Sequence, residues 1–350
     1  MAEKLPPIYF YLPQGDLRYT PRYQLLAGNL PESADTYWEG FAYGVFCWTL
    51  QTYLRLKADD FPCELVRSMP VEGIVLSHKD CFPDNLQPGP RLLIVCIQAE
   101  RKRHPYAQLH VVQNSQDKML RKSMMPLWGT YYIPHWPQPG LIPRAPACGN
   151  RFENVAFFGN EENLAPELKE PSWYEQLNAL GLSWRVVTRN KWNDYSDADV
   201  SLAVRDFNGQ AYTLKPATKL YNAWHAGVPA VLGCDSAFRA ERKSELDYLE
   251  VASLDDVILA LKRLRDDKAL RHAMIENGRI RAEETQLAKL VTMWRSFLID
   301  KAVPAYAHWC TASDWNRRTF LINCYLATVP ERLRSEGGMR KKIQHLRSVT

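Results

Sequence analysis

The chain has 350 residues, which is long for one hydrophobic core and indicates two domains, because single domains usually hold roughly 100–200 residues. A hydrophobic share of 46% and a charged share of 24% are typical of a globular protein and exclude a mostly disordered chain. The formal net charge is only +5, so the composition does not indicate a nucleic-acid partner, and we expect none.

The cysteines show no Cys-x-x-Cys spacing and no regular framework. Cys96 and Cys234 lie in or beside apolar strand patterns, where a free thiol behaves as a small hydrophobic group. This usage favours a reducing compartment and argues against a zinc cluster, so we expect a cytoplasmic protein. The N-terminal apolar run is too short for a signal peptide and contains Pro6, Pro7 and Pro13.

The first half alternates short apolar strands with turns. A segment from about Tyr37 has the length of a membrane span, but Glu39, Gln51 and Arg55 interrupt it, so we predict a core helix over 37–57. Strands are predicted at 8–13, 64–69, 73–78, 91–99 and 109–114.

A proline-rich stretch separates the two halves. Residues 131–146 cannot form a regular helix or a central strand, because their prolines lack the backbone donor. We place the interdomain linker at the end of this stretch, near residues 147–150.

The second half alternates strands and helices regularly. This pattern predicts five or more parallel strands with helices on both faces, and hence a doubly wound α/β domain over about 151–300. Ligands of such sheets bind beyond the carboxyl ends of the strands. The predicted strands are 154–159, 183–188, 200–206, 230–233 and 248–251, and the predicted helices are 172–180, 216–226, 238–246, 254–265, 268–281 and 286–300.

The segment 214–233 carries the strongest local signal. It reads as a helix entered through a proline and stopped by Gly227, followed by a buried strand. The start of that helix offers free backbone N–H groups and a partial positive charge, which suit a diphosphate. Lys215 and Lys219 add cations there, and Asn222, one turn further on, is placed to bond a ribose hydroxyl.

Two other strand ends in this half are candidates for ligand contact. Gly159 directly follows a strand, where a missing side chain lets the backbone approach a ligand, and Asn160 continues the same turn. Arg205 closes the strand 200–206, where it either contacts a phosphate or pairs with a nearby aspartate, Asp206 or Asp199. Arg189 and Lys191, after the strand 183–188, are candidates for contact with the nucleotide, but the pattern favours a solvated loop.

In the first half, His78 ends a strand and is the candidate base for an acceptor hydroxyl. His104, His110 and His135 compete for that role. Gly15, after the first strand, is the candidate for close backbone approach on this side.

The stretch 216–229 resembles the nucleotide-sugar-binding helix of GT-B glycosyltransferases, written Pro-x-x-Lys-Leu-x6-Gly-x-Pro. The resemblance implies two Rossmann-like doubly wound domains facing each other across a cleft, and catalysis with no cofactor and no metal. It implies an N-terminal acceptor-side domain over 1–148, joined by a returning helix near 305–330, and a donor domain over 149–300. The residues expected to bind the nucleotide sugar are Gly15, Gly159, Asn160, Arg205, Lys215, Thr218, Lys219 and Asn222.

One part of the family pattern is missing. Retaining members often carry Glu-x7-Glu, and the two positions hold Leu214 and Asn222 here, so the nucleotide base and the stereochemical outcome stay open. We expect a glycosyltransferase acting on a glycan, lipid or small-molecule acceptor. A nucleotide-sugar epimerase and a non-catalytic nucleotide-binding partner protein remain as alternatives, and the oligomeric state stays open.

The C-terminal segment carries two further expectations. Apolar residues in 308–329, among them Trp315 and Phe320, are too many to leave in water, so we expect this segment to cross back onto the N-terminal domain. The tail 331–350 is basic, which favours a solvated segment and leaves a peripheral membrane contact at the inner membrane face open.

Overall fold

The computed structural model describes residues 5–13, 30–121 and 129–327. Gly15 and the tail 331–350, on which the sequence analysis made predictions, lie outside these ranges. Among the described residues, no helix has both the length and the apolar character needed to cross a bilayer.

The first half builds a sheet of six described strands, all parallel, in the order β2-β1-β3-β4-β5-β6. Its central strands are buried along their whole length, as expected for apolar strands covered on both faces. The strands are β1 Ile8–Tyr11, β2 Glu64–Val66, β3 Gly73–His78, β4 Leu92–Ile97, β5 Leu109–Val112 and β6 Gly129–Tyr132.

The second half builds a separate sheet of five described strands, again all parallel, in the order β11-β10-β9-β7-β8. The prediction of two parallel-strand α/β units is therefore confirmed. The strands are β7 Asn154–Phe158, β8 Ser183–Val187, β9 Val200–Ala203, β10 Ala230–Leu232 and β11 Leu249–Glu250.

The described α-helices follow the predicted order, with differences in extent. They are α1 Gln51–Ala58, α2 Pro171–Ala179, α3 Thr218–Ala226, α4 Ser236–Glu241, α5 Leu254–Asp266, α6 Lys268–Ala282, α7 Leu287–Phe297, α8 Val303–Thr311 and α9 at 314–327. The helix predicted over 286–300 continues through a π-helical turn at Leu298–Ala302 as far as Thr311.

The helix predicted over 37–57 is in fact three pieces. A 3-10 helix at Asp35–Ala42 ends where Tyr43 becomes extended, and a π-helical turn at Phe46–Leu50 then leads into α1. Glycines at 40 and 44 flank the break and weaken a continuous helix.

The helix predicted over 238–246 ends early, as α4. Arg242 is extended, and the buried Asp247 carboxylate accepts hydrogen bonds from the N–H groups of Lys243 (2.6 Å) and Ser244 (2.8 Å). These bonds hold the chain in a turn where a helix would otherwise continue.

The stop predicted after α3 is confirmed. Gly227 adopts the left-handed conformation with φ of 67°, and its N–H donates to carbonyls of the last helical turn. A residue with a side chain would be strained there, so glycine fixes both the end of α3 and the entry to β10.

The end of the described chain packs with the first sheet. Trp294 on α7, Trp309 on α8, and Phe320 and Cys324 on α9 belong to the same buried cluster as strands β1, β3 and β4. The division of the chain into domains at residues 148 and 149 stays a prediction.

Candidate functional site

The candidate site is a cavity of about 430 Å³ between the carboxyl ends of the two sheets. In the second sheet the loops after β7 and β9 lie on either side of the point where strand order reverses, which is where doubly wound sheets bind ligands. Each sequence-predicted site residue that the structure describes lines this cavity: His78, Gly159, Asn160, Arg205, Lys215, Thr218, Lys219 and Asn222. Their roles stay predictions.

Three cations from the second half converge on the cavity. A Cβ added to Gly159 would lie 2.7 Å from the Phe157 ring and 3.3 Å from the Lys219 Nζ, so the missing side chain leaves room for both the ring and the ammonium group. The same ammonium group lies 5.1 Å from the centroid of the Phe157 ring. Arg205 and Lys215 line the cavity with it, which gives the cavity a cluster of positive charge.

Arg205 is held by partners other than the two predicted ones. Its Nε donates to the buried Asp235 at 2.9 Å, and its Nη1 donates to Asn163 at 3.2 Å. The expected pairing with Asp206 or Asp199 is therefore wrong. Asp199 instead accepts from two other arginines, Arg144 and Arg151, and Asp206 accepts from the Tyr212 hydroxyl.

A carboxylate from the first half enters the cationic cluster. Glu100 pairs with Lys215 across the cleft, although 115 positions separate them in the chain. Burial alone would raise the pKa of Glu100, yet Lys215, and with it Arg205 and Lys219, holds that pKa below its usual range. Ala99 and Glu100 both have positive φ, 46° and 63°, a costly conformation for residues with side chains that is often found at functional sites.

The charged form of Lys219 is itself destabilised in the cavity. Burial, followed by repulsion from Arg205, lowers the pKa of Lys219 to about 7, against the opposing pull of Glu100 and Asp235. An anion that enters the cavity stabilises the charged form of this buried ammonium group.

The first turn of α3 points unoccupied donors at the cavity. No side chain caps this helix start, and the buried Thr218 hydroxyl has no hydrogen-bond partner among the described residues. The Gln138 Nε2, also at the cavity, is equally unpartnered within that part of the chain. Buried polar groups normally find partners, so these two donors are available to a polar ligand or to water.

Asn222 has a structural partner that the sequence did not indicate. Its Oδ1 accepts from the Gln138 backbone N–H at 2.9 Å, and only 6% of the residue is exposed. The amide oxygen therefore fixes the proline-rich stretch 131–146 against α3 while the residue still lines the cavity.

His78 and His135 contribute imidazoles from the first half. The Asp80 backbone N–H donates to His78 Nδ1 at 2.9 Å, and burial lowers the pKa of His78 to about 4. His135 lies at the cavity with Cys47, whose Sγ is 3.2 Å from its Nε2. Sequence reasoning named His135 as a competitor but had no signal for Cys47 or Glu100.

Arg189 is not in a solvated loop, contrary to the expectation from the sequence. Its guanidinium donates to the Tyr43 hydroxyl in the first half and to Asn160 at 3.3 Å, and it lies 4.6 Å from the centroid of the Tyr43 ring. Arg189 thus ties the 3-10 segment of the first half to the loop that carries Gly159.

A larger groove of about 710 Å³ is lined in part by the loop that precedes Lys215. Lys118, Thr213, Cys234 and Arg239 line it, but none of the predicted site residues does. Size alone is weaker evidence than converging charge and unpartnered donors, so we regard the smaller cavity as the candidate site. Within the described part of the chain, no group of three or more His, Cys, Asp or Glu side chains could hold a metal ion.

No protein-family model matches the chain, and no curated protein matches it. A sucrose-phosphate synthase from Thermosynechococcus elongatus has a similar fold, with 13% identity, 85% of this chain and 99% of that chain covered, and a TM-score of 0.46. HepE from Anabaena in complex with UDP-glucose has 11% identity, with 84% of this chain and 100% of that chain covered, and a TM-score of 0.48. AviGT4, a glycosyltransferase involved in avilamycin A biosynthesis, has 12% identity, 77% and 91% coverage, and a TM-score of 0.43. These likenesses concern the fold alone and are too weak to say what the chain does.

Proposed function

We propose that this protein is a glycosyltransferase that moves a sugar from a nucleotide-sugar donor to an acceptor hydroxyl. The observation that carries the proposal is the meeting of Arg205, Lys215 and Lys219 with the uncapped first turn of α3 at the carboxyl end of a doubly wound sheet. Helix N-termini and cations together form a site for phosphates.

The charges at the cavity suit a diphosphate diester. Three cations, Arg205, Lys215 and Lys219, face the two carboxylates Glu100 and Asp235. A donor that displaces Glu100 from Lys215 brings two negative charges to a cavity whose lining also includes Arg101, so its diphosphate can pair with these cations. The Thr218 hydroxyl and the free N–H groups of α3 supply hydrogen bonds to the same oxygens.

These groups also favour the chemical step. When the bond between the sugar C1 and the diphosphate oxygen breaks, negative charge grows on that oxygen, and the preorganised cations and dipoles stabilise it. Burial keeps the pKa of Lys219 near 7 in the free protein. The negative charge that develops on the oxygen raises this pKa and so favours the charged ammonium form.

His78 belongs to this proposal as a hydrogen-bond donor. Its Nδ1 lone pair accepts from the Asp80 N–H, so the proton of the neutral imidazole is on Nε2. An Nε2–H at the cavity can donate to a sugar hydroxyl, but it cannot take a proton from one. We therefore assign His78 to binding and not to proton abstraction.

The two alternatives make different demands. An epimerase would act on the nucleotide sugar without an acceptor, and a non-catalytic partner protein would bind the nucleotide without consuming a donor. We favour the transferase because imidazoles, a carboxylate and the cationic cluster line one cleft between the halves.

A thermal-shift panel of UDP, GDP, ADP and CDP and their common sugar conjugates tests the binding site, because a bound ligand stabilises the folded state by mass action. Conjugates that raise the melting temperature are then incubated with the protein and the products analysed. Release of nucleoside diphosphate supports transfer, and conversion to an isomeric nucleotide sugar supports the epimerase. A panel without any shift contradicts nucleotide binding.

We also propose a peripheral membrane contact through α9. Trp315, Ile322, Tyr325 and Leu326 are all exposed on this helix, and the basic tail follows it in the chain. Aromatic and aliphatic side chains beside basic residues are typical of helices that lie on anionic lipid surfaces. Co-sedimentation with phosphatidylserine vesicles, lost in Trp315→Ala and absent with phosphatidylcholine, is the expected result. Equal binding by the variant would contradict the contact.

A further inference from the structure

The two histidines at the cleft are held in opposite tautomers by their neighbours. His78 accepts a hydrogen bond at Nδ1 from the Asp80 N–H, so its proton is on Nε2. The Nδ1 of His135 instead contacts the Trp136 carbonyl oxygen, which can only accept. His135 therefore carries its proton on Nδ1 and presents the lone pair of Nε2.

That lone pair is directed at a weak donor inside the cavity. The Cys47 Sγ lies 3.2 Å from His135 Nε2, and both residues line the same cavity as Lys219. Burial raises the pKa of the Cys47 thiol, so the sulfur keeps its one proton, which has two acceptors within reach, His135 Nε2 and, at 3.6 Å, the Gln51 Oε1. A thiol is a weaker hydrogen-bond donor than a hydroxyl, so an incoming O–H group can take its place.

We propose that His135, and not His78, is the catalytic base that takes the proton from the acceptor hydroxyl. This inference rests on the proposed function, because it requires an acceptor and a nucleotide-sugar donor in the cleft. Trp136 acts as the positioning residue, since its carbonyl holds the imidazole in the tautomer that a base needs.

The step balances without a further reactant. The acceptor O–H bond breaks, its proton moves to His135 Nε2, and the acceptor oxygen forms a bond to the sugar C1. The bond from C1 to the diphosphate oxygen breaks, and its electron pair stays on the diphosphate beside Lys215 and Lys219. The imidazolium then loses its proton to water when the products leave.

Glu100 connects the donor and acceptor sides of this scheme. Burial lowers the pKa of His135 to about 4, and the charge of Glu100 is among the influences that raise it. A donor diphosphate that competes for Lys215 leaves the Glu100 carboxylate less neutralised. The imidazolium that forms on His135 then gains a nearby negative charge.

The tautomers can be measured on the unmodified full chain. A long-range 1H–15N correlation spectrum with 15N-labelled histidine should show an unprotonated Nε2 for His135 and an unprotonated Nδ1 for His78. Comparison with the spectrum of Cys47→Ala identifies the His135 signals, because this substitution removes a contact of the His135 ring and should shift its signals. A protonated Nε2 on His135 overturns the inference, whether or not the nucleotide site is correct.

Kinetics separate a base from a merely structural histidine. On the UDP-, GDP-, ADP- or CDP-sugar that the wild type consumes, His135→Gln should lower kcat by about 10²–10⁴-fold and leave the Kd for the nucleoside diphosphate within about twofold. His78→Gln should mainly raise KM. The exposed His308→Gln on α8 is the matched control and should change neither.

The role of Cys47 gives a second contrast. Cys47→Ala should keep kcat within about threefold of the wild type, because removing one weak, uncharged hydrogen-bond partner has a small effect. A loss as large as that of His135→Gln would make the thiol the reacting group and overturn the assignment. Loss of turnover in His135→Gln together with loss of nucleotide binding would also count against a base. If the wild type consumes no donor, the transferase proposal fails and the base role fails with it, while the tautomer measurement still decides whether His135 presents an Nε2 lone pair.

Discussion

The two sheets of this protein share a strand order, but different kinds of side chain lie at the cleft ends of their strands. In each half the second strand lies outside the first and the later strands continue on the other side, so both sheets have a point of reversal. At the cleft, the second half contributes three cations, Arg205, Lys215 and Lys219, and the first half contributes two imidazoles, the carboxylate of Glu100 and the single cation Arg101. Topology therefore locates the cleft, and the residues at the strand ends decide what it can bind.

The two halves also differ in how they are covered. The second core is formed by residues between 152 and 274, which are continuous in the chain. The first core takes buried side chains from 290–324, far from its own strands in sequence. The second core is thus formed by one continuous stretch of the chain, whereas the first core also needs the C-terminal helices.

The largest expected effect is on stability, and it tests whether residues 290–324 complete the first core. Trp309→Ala should lower the free energy of unfolding by about 3–5 kcal/mol, because it empties a fully buried site and removes the bond from the indole N–H to the Gly89 carbonyl. Trp315→Ala, at a side chain that is 72% exposed, should cost less than about 0.5 kcal/mol. Urea denaturation measures both, and equal small losses would show that 290–324 is not part of the first core.

The next effect tests the cationic side of the comparison. Lys219→Ala should weaken nucleoside-diphosphate binding by about ten- to a hundredfold, because a charge-assisted contact in a partly dry cleft is worth roughly 1.5–3 kcal/mol. Lys262→Ala removes the same charge from an exposed position on α5 and should change affinity little. Calorimetric titration compares the two variants, and similar affinities would remove the main support for the nucleotide site.

A smaller effect, tighter instead of weaker binding, is expected when the carboxylate at the cleft is removed. Glu100→Gln should tighten binding of inorganic pyrophosphate by about five- to tenfold, because it removes the carboxylate that competes for Lys215. Glu167→Gln, which removes the same charge from an exposed position, is the control. Weaker pyrophosphate binding by Glu100→Gln would mean that the carboxylate organises the site instead of competing with the ligand.

The smallest effect is a pH dependence. Lys219 has a pKa of about 7 in the free protein, and a bound diphosphate raises it. Below pH 7 the lysine is already charged, whereas above pH 7 binding must take up a proton, so affinity should fall by about fivefold between pH 7 and pH 8. A nucleotide sugar is the ligand to use, because its diphosphate does not titrate there. Lys219→Ala should abolish the dependence, and a dependence kept in that variant would assign the titration to another group.

Local sequence signals determined the second half well. Strand–helix alternation over 154–266, the stop at Gly227 and the cations of 214–219 are properties of short stretches, and each depends on backbone preferences that neighbouring residues set. The candidate site residues predicted from those stretches all meet at one cavity, since the carboxyl ends of parallel strands meet at one edge of a sheet.

Tertiary structure alone decided how the two halves act on each other. The pairing of Glu100 with Lys215, the pairing of Arg205 with Asp235 and the contact of Cys47 with His135 join residues far apart in the chain, and no spacing rule predicts them. The tautomers of His78 and His135 depend on which neighbour donates and which accepts, a matter of tenths of an ångström in the folded chain. The sequence by itself therefore predicted which residues of the second half line the cavity, and only the folded structure placed the neighbours that hold each imidazole.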